Sequence, residues 1–342
     1  MTPITIYDIA KEANVSVSTV SRVLNDTAPV RASTREKIMS IIEKHQFQPN
    51  AQARSLIKKE TGTIAIILPD ITNPFFPEVF WGAENEARGL GYTFFLCNTA
   101  GDYSRESEYL SILREKRVDG IIFLGGRINM QVCPDDMAQE LIDMGKRMPI
   151  VLVNGNIAKG GFHRVYTDEG AGAVLAAEHL LELGHRDIAF VGGLKELSTT
   201  MVKVKAIQKK LREHGLEIPK ERQLLGSFSI EDGKREMSKL LDRGNPPTAV
   251  ICVNDYTAIG AIKATIEHGL SIPKDISIVG FDDTPLASAV IPELTTVSQN
   301  TYQLGKLAVD KLHELINQGN PKKQTILQPE LVIRQSTGPA PR

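Results

Sequence analysis

The chain has 342 residues and a formal net charge of −1, with 40 lysines and arginines against 41 aspartates and glutamates. That balance excludes a polycation, while the length leaves room for a small domain, one or two larger ones and a substantial core. No apolar run could span a bilayer or form the core of a signal peptide, so a cytoplasmic protein with no membrane partner is expected.

Residues 1–60 carry nine basic against six acidic side chains, a slightly basic head on an acidic body that suits phosphate contacts at one end. Within them, IYDIAKEANVSVSTVSRVLN (6–25) reads as two short helices joined by a tight turn. Ile6, Ile9, Ala10 and Ala13 recur at helical spacing. Asn14 suits a left-handed bend, Val15 plugs the turn, and Ser16 is placed to cap a second helix from Val17 to about Asn25. Val20, Val23 and Leu24 then face inward, leaving Val17, Ser18, Ser21 and Arg22 outside. Hydroxyls and one arginine at the start of a helix can read base edges, although an ordinary amphipathic helix pair has the same pattern. Ser33 and Glu36 have capping-box spacing ahead of a third helix carrying Ile38, Ile41 and Ile42. Asn50 then caps AQARSLIKK, basic at Arg54, Lys58 and Lys59 and apolar at Ala53, Leu56 and Ile57, a segment too short to be helical unless something holds it.

From residue 62 the pattern changes to near-continuous apolar runs of buried parallel-strand type: TIAIILP, YTFFLCN, DGIIFLG, PIVLVNG, DIAFVGG, AVICVND and ISIVGFD. Between them lie helical stretches such as PEVFWGAENEARGL, AGAVLAAEHLLELG and YTAIGAIKATIEHG, each ending near glycine. The alternation predicts parallel sheets covered by helices on both faces. The strands outnumber what one half-domain needs, which predicts two doubly wound subdomains with a ligand crevice at the strands' carboxyl ends. The polar residues at those ends, Asp70 to Asn73, Asn154, Asn254-Asp255 and Asp282-Asp283, could hold sugar hydroxyls or a purine edge beside aromatic faces. Each also reads as the cap of the following helix. Cys97, Cys133 and Cys252 form no CxxC pair, so neither a disulfide framework nor a metal site is expected, no cofactor is implied, and Cys97 and Cys252 read as buried thiols.

With the 6–25 segment and the motif VGFDDTPLASAVIPELTTVSQN (279–300), the chain resembles the lactose-repressor (LacI/GalR) family over nearly its whole length. The resemblance implies an α/β protein. An N-terminal all-α helix-turn-helix headpiece (1–48) is followed by a hinge helix and linker (49–61). The effector-binding and dimerisation domain (62–342) is a two-subdomain periplasmic-binding-protein-like body with two doubly wound parallel sheets. Its subdomains are roughly 62–160 with 291–320, and 161–290 with 321–338. By the same resemblance Val17, Ser18 and Arg22 contact bases, and Tyr7, Ser16, Thr19, Ser21 and Asn25 complete the DNA-binding face. Asn50, Ala53, Arg54 and Leu56 belong to the hinge, with Leu56 wedging into the minor groove. Phe75, Phe76, Asn154, Lys203, Phe228, Asn254 and Asp282 line the effector cleft, Phe228 stacking on the ligand and Asn254 and Asp282 holding its hydroxyls.

One departure concerns the effector. Sugar-responsive members carry an arginine followed three residues later by glycine near 201, where this chain has Lys203 and Ala206. Lysine is a point charge without arginine's planar fork, which leaves a phosphorylated, an unusual or an absent effector open beside the sugar that the resemblance implies. A similar lysine occurs in the catabolite control protein that answers to a phosphorylated carrier protein, but Asp310 stands where that regulator has a basic contact residue. After VIRQST the sequence continues as GPAPR with no leucine heptads, so a homodimer on a palindromic double-stranded DNA operator is expected rather than a tetramer. The resulting expectation is a repressor controlled by a small-molecule effector. A protein co-effector is the first alternative, and a sugar-binding or enzymatic protein on the same scaffold the second. No P-loop, GxGxxG, GxSxG or paired metal motif supports an enzyme.

Overall fold

A computed structural model describes residues 4–25, 28–47 and 61–341. The chain forms two compact units, Met1–Gly62 and Thr63–Arg342.

In the first unit, α1 (Ile6–Ala13) opens with a reciprocal cap. The Thr5 hydroxyl accepts the Asp8 N–H at 3.4 Å, and Asp8 Oδ2 accepts the Thr5 N–H at 2.9 Å. Asn14 ends it in the left-handed region (φ 57°, ψ 48°). α2 (Val17–Asn25) follows Ser16, whose Oγ accepts the Thr19 N–H at 3.2 Å. α3 (Ala32–Lys44) corrects the expected Ser33–Glu36 box: its cap is Arg31, with no side-chain bond. The backbone has turned helical before Ser33, removing the extended conformation that a serine cap needs. Ile9, Val20 and Ile38 are fully buried and share one core with Ala10, Ala13, Val23 and Ile41. The hinge residues Asn50, Ala53, Arg54 and Leu56 lie outside the described residues.

The second unit runs β1 (Thr63–Leu68), α4 (Phe75–Gly89), β2 (Thr93–Asn98), α5 (Tyr103–Lys116), β3 (Gly120–Leu124), α6 (Asp135–Gly145), β4 (Ile150–Val153) and β5 (His163–Thr167). It continues through α7 (Glu169–Glu182), β6 (Ile188–Val191), α8 (Ser198–Arg212), β7 (Gln223–Leu224), α9 (Ile230–Leu241), β8 (Ala249–Cys252), α10 (Asp255–Glu267) and β9 (Ser277–Asp282). It ends with α11 (Pro285–Ala289), β10 (Thr295–Ser298), α12 (Thr301–Ile316), β11 (Gln324–Leu327) and β12 (Glu330–Val332). The seven expected strands are all present. With β5, β7, β10, β11 and β12 they build two six-stranded sheets, β11-β5-β4-β3-β1-β2 and β12-β10-β9-β8-β6-β7.

The inner strands β1, β3, β4, β6, β8 and β9 are buried on both faces, which is why they read as unbroken apolar runs. In β1, Ile64, Ile66 and Leu68 pack beneath Val79, Ala83, Leu304 and Leu312, while Ala65 and Ile67 point the other way onto Leu110, Leu113 and Leu141. In the second sheet, α9 and α10 cross at Gly233 and Gly260. A β-carbon on Gly260 would fall 2.1 Å from the Ile230 carbonyl oxygen, so only glycine permits the contact. Cys97 and Cys252 are buried free thiols, and burial pushes the Cys97 thiol up to about 11.

Two expectations are corrected. The expected lobe boundaries misplace three strands: β5 and β11 belong to the first sheet, whereas β10 belongs to the second. The chain changes lobe at 167–169, 298–301 and 327–330, always after a strand's carboxyl end and without any break in composition. The second sheet is also not wholly parallel, because β12 runs antiparallel to β10. β11 ends two residues before β12 begins. The chain therefore enters the second sheet from its carboxyl edge and cannot make the crossover that a parallel strand requires.

Candidate functional site

The helix-turn-helix places α2's polar residues as the sequence predicts. Ser18 and Arg22 are exposed, Val17, Thr19 and Ser21 half-buried, and Val20 wholly inside. Ser16 Oγ lies 2.7 Å from Ser18 Oγ and 2.8 Å from Thr19 Oγ1, a short chain of hydroxyls across the helix start. Tyr7 on α1 is 71% exposed. The Asn25 side chain lies outside the described residues.

In the body, a cavity of about 250 Å³ lies between the carboxyl ends of the two sheets. All seven predicted effector residues line it. Phe75 and Phe76, opening α4, meet edge to face at 5.2 Å, with Phe75 largely absorbed into the first lobe's core. Phe228 faces them from the second lobe.

The polar residues are joined to one another more than the sequence reveals. Asn154 Nδ2 donates to Gln299 Oε1 at 2.9 Å, and Gln299 Nε2 donates to Asp282 Oδ1 at 2.7 Å, so one side-chain chain runs from β4 to β9 across both lobes. Asn154 Oδ1 is occupied by the Thr167 N–H at 2.9 Å. Asn254 is the cap of α10: its Oδ1 accepts the Thr257 N–H at 2.9 Å, and its Nδ2 donates to the Phe228 carbonyl at 3.1 Å. The cap alternative is therefore realised at Asn254, which positions Phe228 as well. Lys203 is 4% exposed, with Nζ 2.8 Å from Glu169 Oε1 and 4.2 Å from the centre of the Phe281 ring. Its charge is thus compensated within the protein.

Sequence reasoning missed Gln299, Glu169 and Asn129, all in the wall. Gln299 lies inside the 279–300 motif, but its partners are 145 and 17 residues away, so no local pattern marks it. Asn129 Oδ1 is a buried oxygen with no partner among the described residues. Asp283 is held by Arg334 Nη2 at 2.6 Å, which removes it from any acid/base pairing with Asp282.

Both rims of the cavity are pinned across the lobes. On one side Met130 and Leu197 form an isolated bridge, the Gln131 N–H donates to the Glu196 carbonyl at 2.8 Å, and Ser198 Oγ donates to the Asn129 carbonyl at 3.0 Å. On the other, the Tyr256 hydroxyl donates to the Thr72 carbonyl at 2.8 Å.

Burial, reinforced by the charge of Asp255 and opposed by Lys203, holds the Asp282 carboxyl well above the usual carboxylate range. Burial likewise pushes Asp255 up to about 7, against the donors Thr296 and Thr284. Both acids hold protons more tightly folded than unfolded, where aspartate titrates near about 4. Their contribution to stability is complete below that value and is lost as the pH rises through the folded pKa values, toward about 7 for Asp255. In thermal melts between pH 4 and 7, Asp282→Asn is expected to lose part of the destabilisation that the wild type shows with rising pH. Parallel slopes for the two proteins would contradict this.

Comparison with known proteins accords with this architecture. Residues 5–50 match the family of bacterial regulatory proteins of the lacI family, and residues 177–337 match a periplasmic binding protein-like domain. The chain is 37% identical over 341 residues to the HTH-type transcriptional regulator DegA of Bacillus subtilis (strain 168), covering 98% of each. It is 35% identical to catabolite control protein A of Priestia megaterium, over 98% of this chain and 99% of that one. The Lac repressor dimer bound to operator and the anti-inducer ONPF superposes with a TM-score of 0.88 at 28% identity, over 98% of this chain and 100% of that one. A LacI family regulator from Enterococcus faecium with bound ribose gives 0.71 at 30% identity, over 81% and 99%. With sequence similarity and fold both running from the headpiece through the body, the chain belongs to the lacI family of bacterial regulatory proteins.

Proposed function

We propose that this regulator is a repressor that binds a palindromic operator as a homodimer, with its DNA affinity set by a small uncharged polyhydroxylated molecule held between the lobes. The observation that carries this reading is the charge balance of the cavity wall. Lys203 is its one cationic residue among the described residues and is paired with Glu169, while Asp70 adds negative charge. A phosphorylated sugar would bring charge into a partly desolvated acidic field without a free cation to meet it. This narrows the sequence-based expectation of a sugar or sugar phosphate to the uncharged member. Ribose in the Enterococcus faecium relative is of that class.

Ligand shape follows from the walls. Phe76 and Phe228 offer apolar faces to a sugar ring, and the free oxygens of Asn129 and Asp282 accept its hydroxyls. At one hundred times its Kd such a ligand stabilises the folded body by about 2.7 kcal/mol. Thermal shift against paired sugars and sugar phosphates tests this, with binding in the cleft read as the shift that Phe228→Ala abolishes. An uncharged sugar is expected to give that Phe228-dependent shift and its phosphate to give none. The reverse pattern would overturn the reading.

At the other end of the chain, Arg22 is the exposed cation of α2. Arg22→Ala is expected to weaken operator binding by about 1–3 kcal/mol while changing binding to random duplex far less, because base contacts specify and phosphate contacts only position. Fluorescence anisotropy on both DNAs checks it, and equal losses would remove Arg22 from base reading.

A further inference from the structure

The first sheet has a second depression, at the end opposite the ligand cavity. It lies beside the amino ends of β4 and β5, where α6 and α12 finish, and encloses about 520 Å³, within the range of small-molecule sites. Among the described residues its wall contains no aspartate or glutamate. Lys146, Arg147 and Lys323 supply fixed positive charge at its mouth, all three exposed. Asp143 at the rim takes Lys146 at 2.7 Å. Among the described residues no carboxylate lies within ion-pair distance of Arg147 or Lys323, although Asp143 is near enough to attract Arg147.

Behind the wall the field is positive as well. Lys311 is 5% exposed, and its ammonium donates to the Lys322 carbonyl at 2.5 Å, with no carboxylate in ion-pair range among the described residues. Burial lowers the affinity of Lys311 for its proton, Glu314 opposes this, and Lys322 adds to the lowering. His163 in the wall is lowered too, by burial and then by Lys323 and Lys311. Asp143 and Glu314 offset only part of this positive charge, so an anion in the concavity would be favoured.

The floor is apolar and includes an aromatic face. The Phe162 ring lies between two glycines: a β-carbon on Gly145 would fall 2.7 Å from it, and one on Gly160 2.5 Å. Those two glycines let the ring sit in the wall beside Met148 and Leu315.

From cations at the mouth and an aromatic floor we infer that this depression is a second ligand site, for a nucleoside monophosphate whose phosphate meets Arg147 and Lys323 and whose base lies on Phe162. The phosphate forms charge-assisted bonds, two-pronged with the guanidinium. The base gains the stacking that any flat π-face gives. A DNA backbone presents its phosphates on a convex surface and would touch the rim without filling the concavity, so duplex is the poorer occupant.

Titration calorimetry on the full chain with AMP, CMP, adenosine and inorganic phosphate tests the assignment. A nucleoside monophosphate is expected to bind more tightly than either adenosine or phosphate. Arg147→Glu and Lys323→Glu, both at exposed positions that leave the fold intact, are each expected to weaken it about tenfold or more, the scale of one charge-assisted bond. Three outcomes overturn the inference. They are no binding of AMP or CMP, binding insensitive to both substitutions, or inorganic phosphate binding as tightly as the nucleotides. So does a fourth, in which the substitutions weaken binding to random duplex while nucleotide binding is unaffected.

Discussion

Replacing Arg127 with methionine is expected to destabilise the body by about 3–5 kcal/mol, the usual cost of removing one member of a buried ion pair. Arg127 is fully buried in the turn after β3, with Nε 2.6 Å from Glu106 Oε2 and Nη1 2.6 Å from Glu140 Oε2. Nη1 also donates to the Met137 carbonyl at 3.0 Å, and Nη2 to Ser107 Oγ at 2.9 Å. Methionine fills much of the volume but leaves Glu106, itself 1% exposed, charged and without its counter-ion. Burial already raises the Glu106 carboxyl, with Arg127 holding it down. Without the arginine that rise is larger, so the variant's deficit is expected to grow as the pH increases from about 5 to about 8. Urea unfolding at the two pH values measures it. Adding Glu106→Gln to Arg127→Met is expected to recover part of the loss, since the stranded charge is then gone. A loss below about 1 kcal/mol, unchanged by pH, would show that the ion pair is worth no more than a surface one. The consequence reaches the cavity, because the same guanidinium braces the turn that contributes Gly125, Gly126 and Asn129 to its wall.

The second large effect concerns control. Asp282→Ala is expected to abolish the response of operator binding to the cleft ligand while leaving ligand-free operator affinity within a factor of about two. Asp282 Oδ1 takes the Gln299 amide, and through it the Asn154 amide of the first lobe, while its other oxygen has no partner among the described residues. A ligand hydroxyl donating to that oxygen would connect to both lobes at once. Removing the carboxylate breaks that link and leaves Gln299 Nε2 without its acceptor. What is lost is the coupling, of about 1–3 kcal/mol in ordinary allosteric proteins. A full response in the variant would place the ligand's anchor elsewhere.

Much of this was legible in the sequence because it rests on short-range physics. Six of the seven apolar strands are recognisable because both of their faces are buried, β2 being apolar at an exposed sheet edge, and the helices at 75–89, 169–182 and 255–267 lie within about two residues of where periodicity puts them. What escaped notice is half-polar or very short. β5, HRVYT, has no apolar run, and β7 is two residues long. β10, TTVS, buries Thr295 and Thr296 completely, which is tolerable only because their hydroxyls meet Thr337 and Asp255, residues that sequence alone does not bring near. The same distinction divides the site. Asn154, Asn254 and Asp282 could be named because they end strands, where ligands of such folds bind. The Lys203–Glu169 pair joins two helices 34 residues apart and reverses the meaning of the lysine. Taken from the sequence, Lys203 is a free cation able to meet a phosphate, whereas in the fold it is already paired.

On the proposed function, occupancy of the inter-lobe cavity and affinity for operator DNA are one linked equilibrium. The direct measurement is a paired titration on the full chain: operator affinity by anisotropy with and without a sugar that stabilises the body, and affinity for that sugar with and without operator. Both affinities are expected to change by the same factor, about 5- to 150-fold, as linkage demands. A sugar that binds the cavity, as judged by its dependence on Phe228, and yet leaves operator affinity unchanged would contradict it.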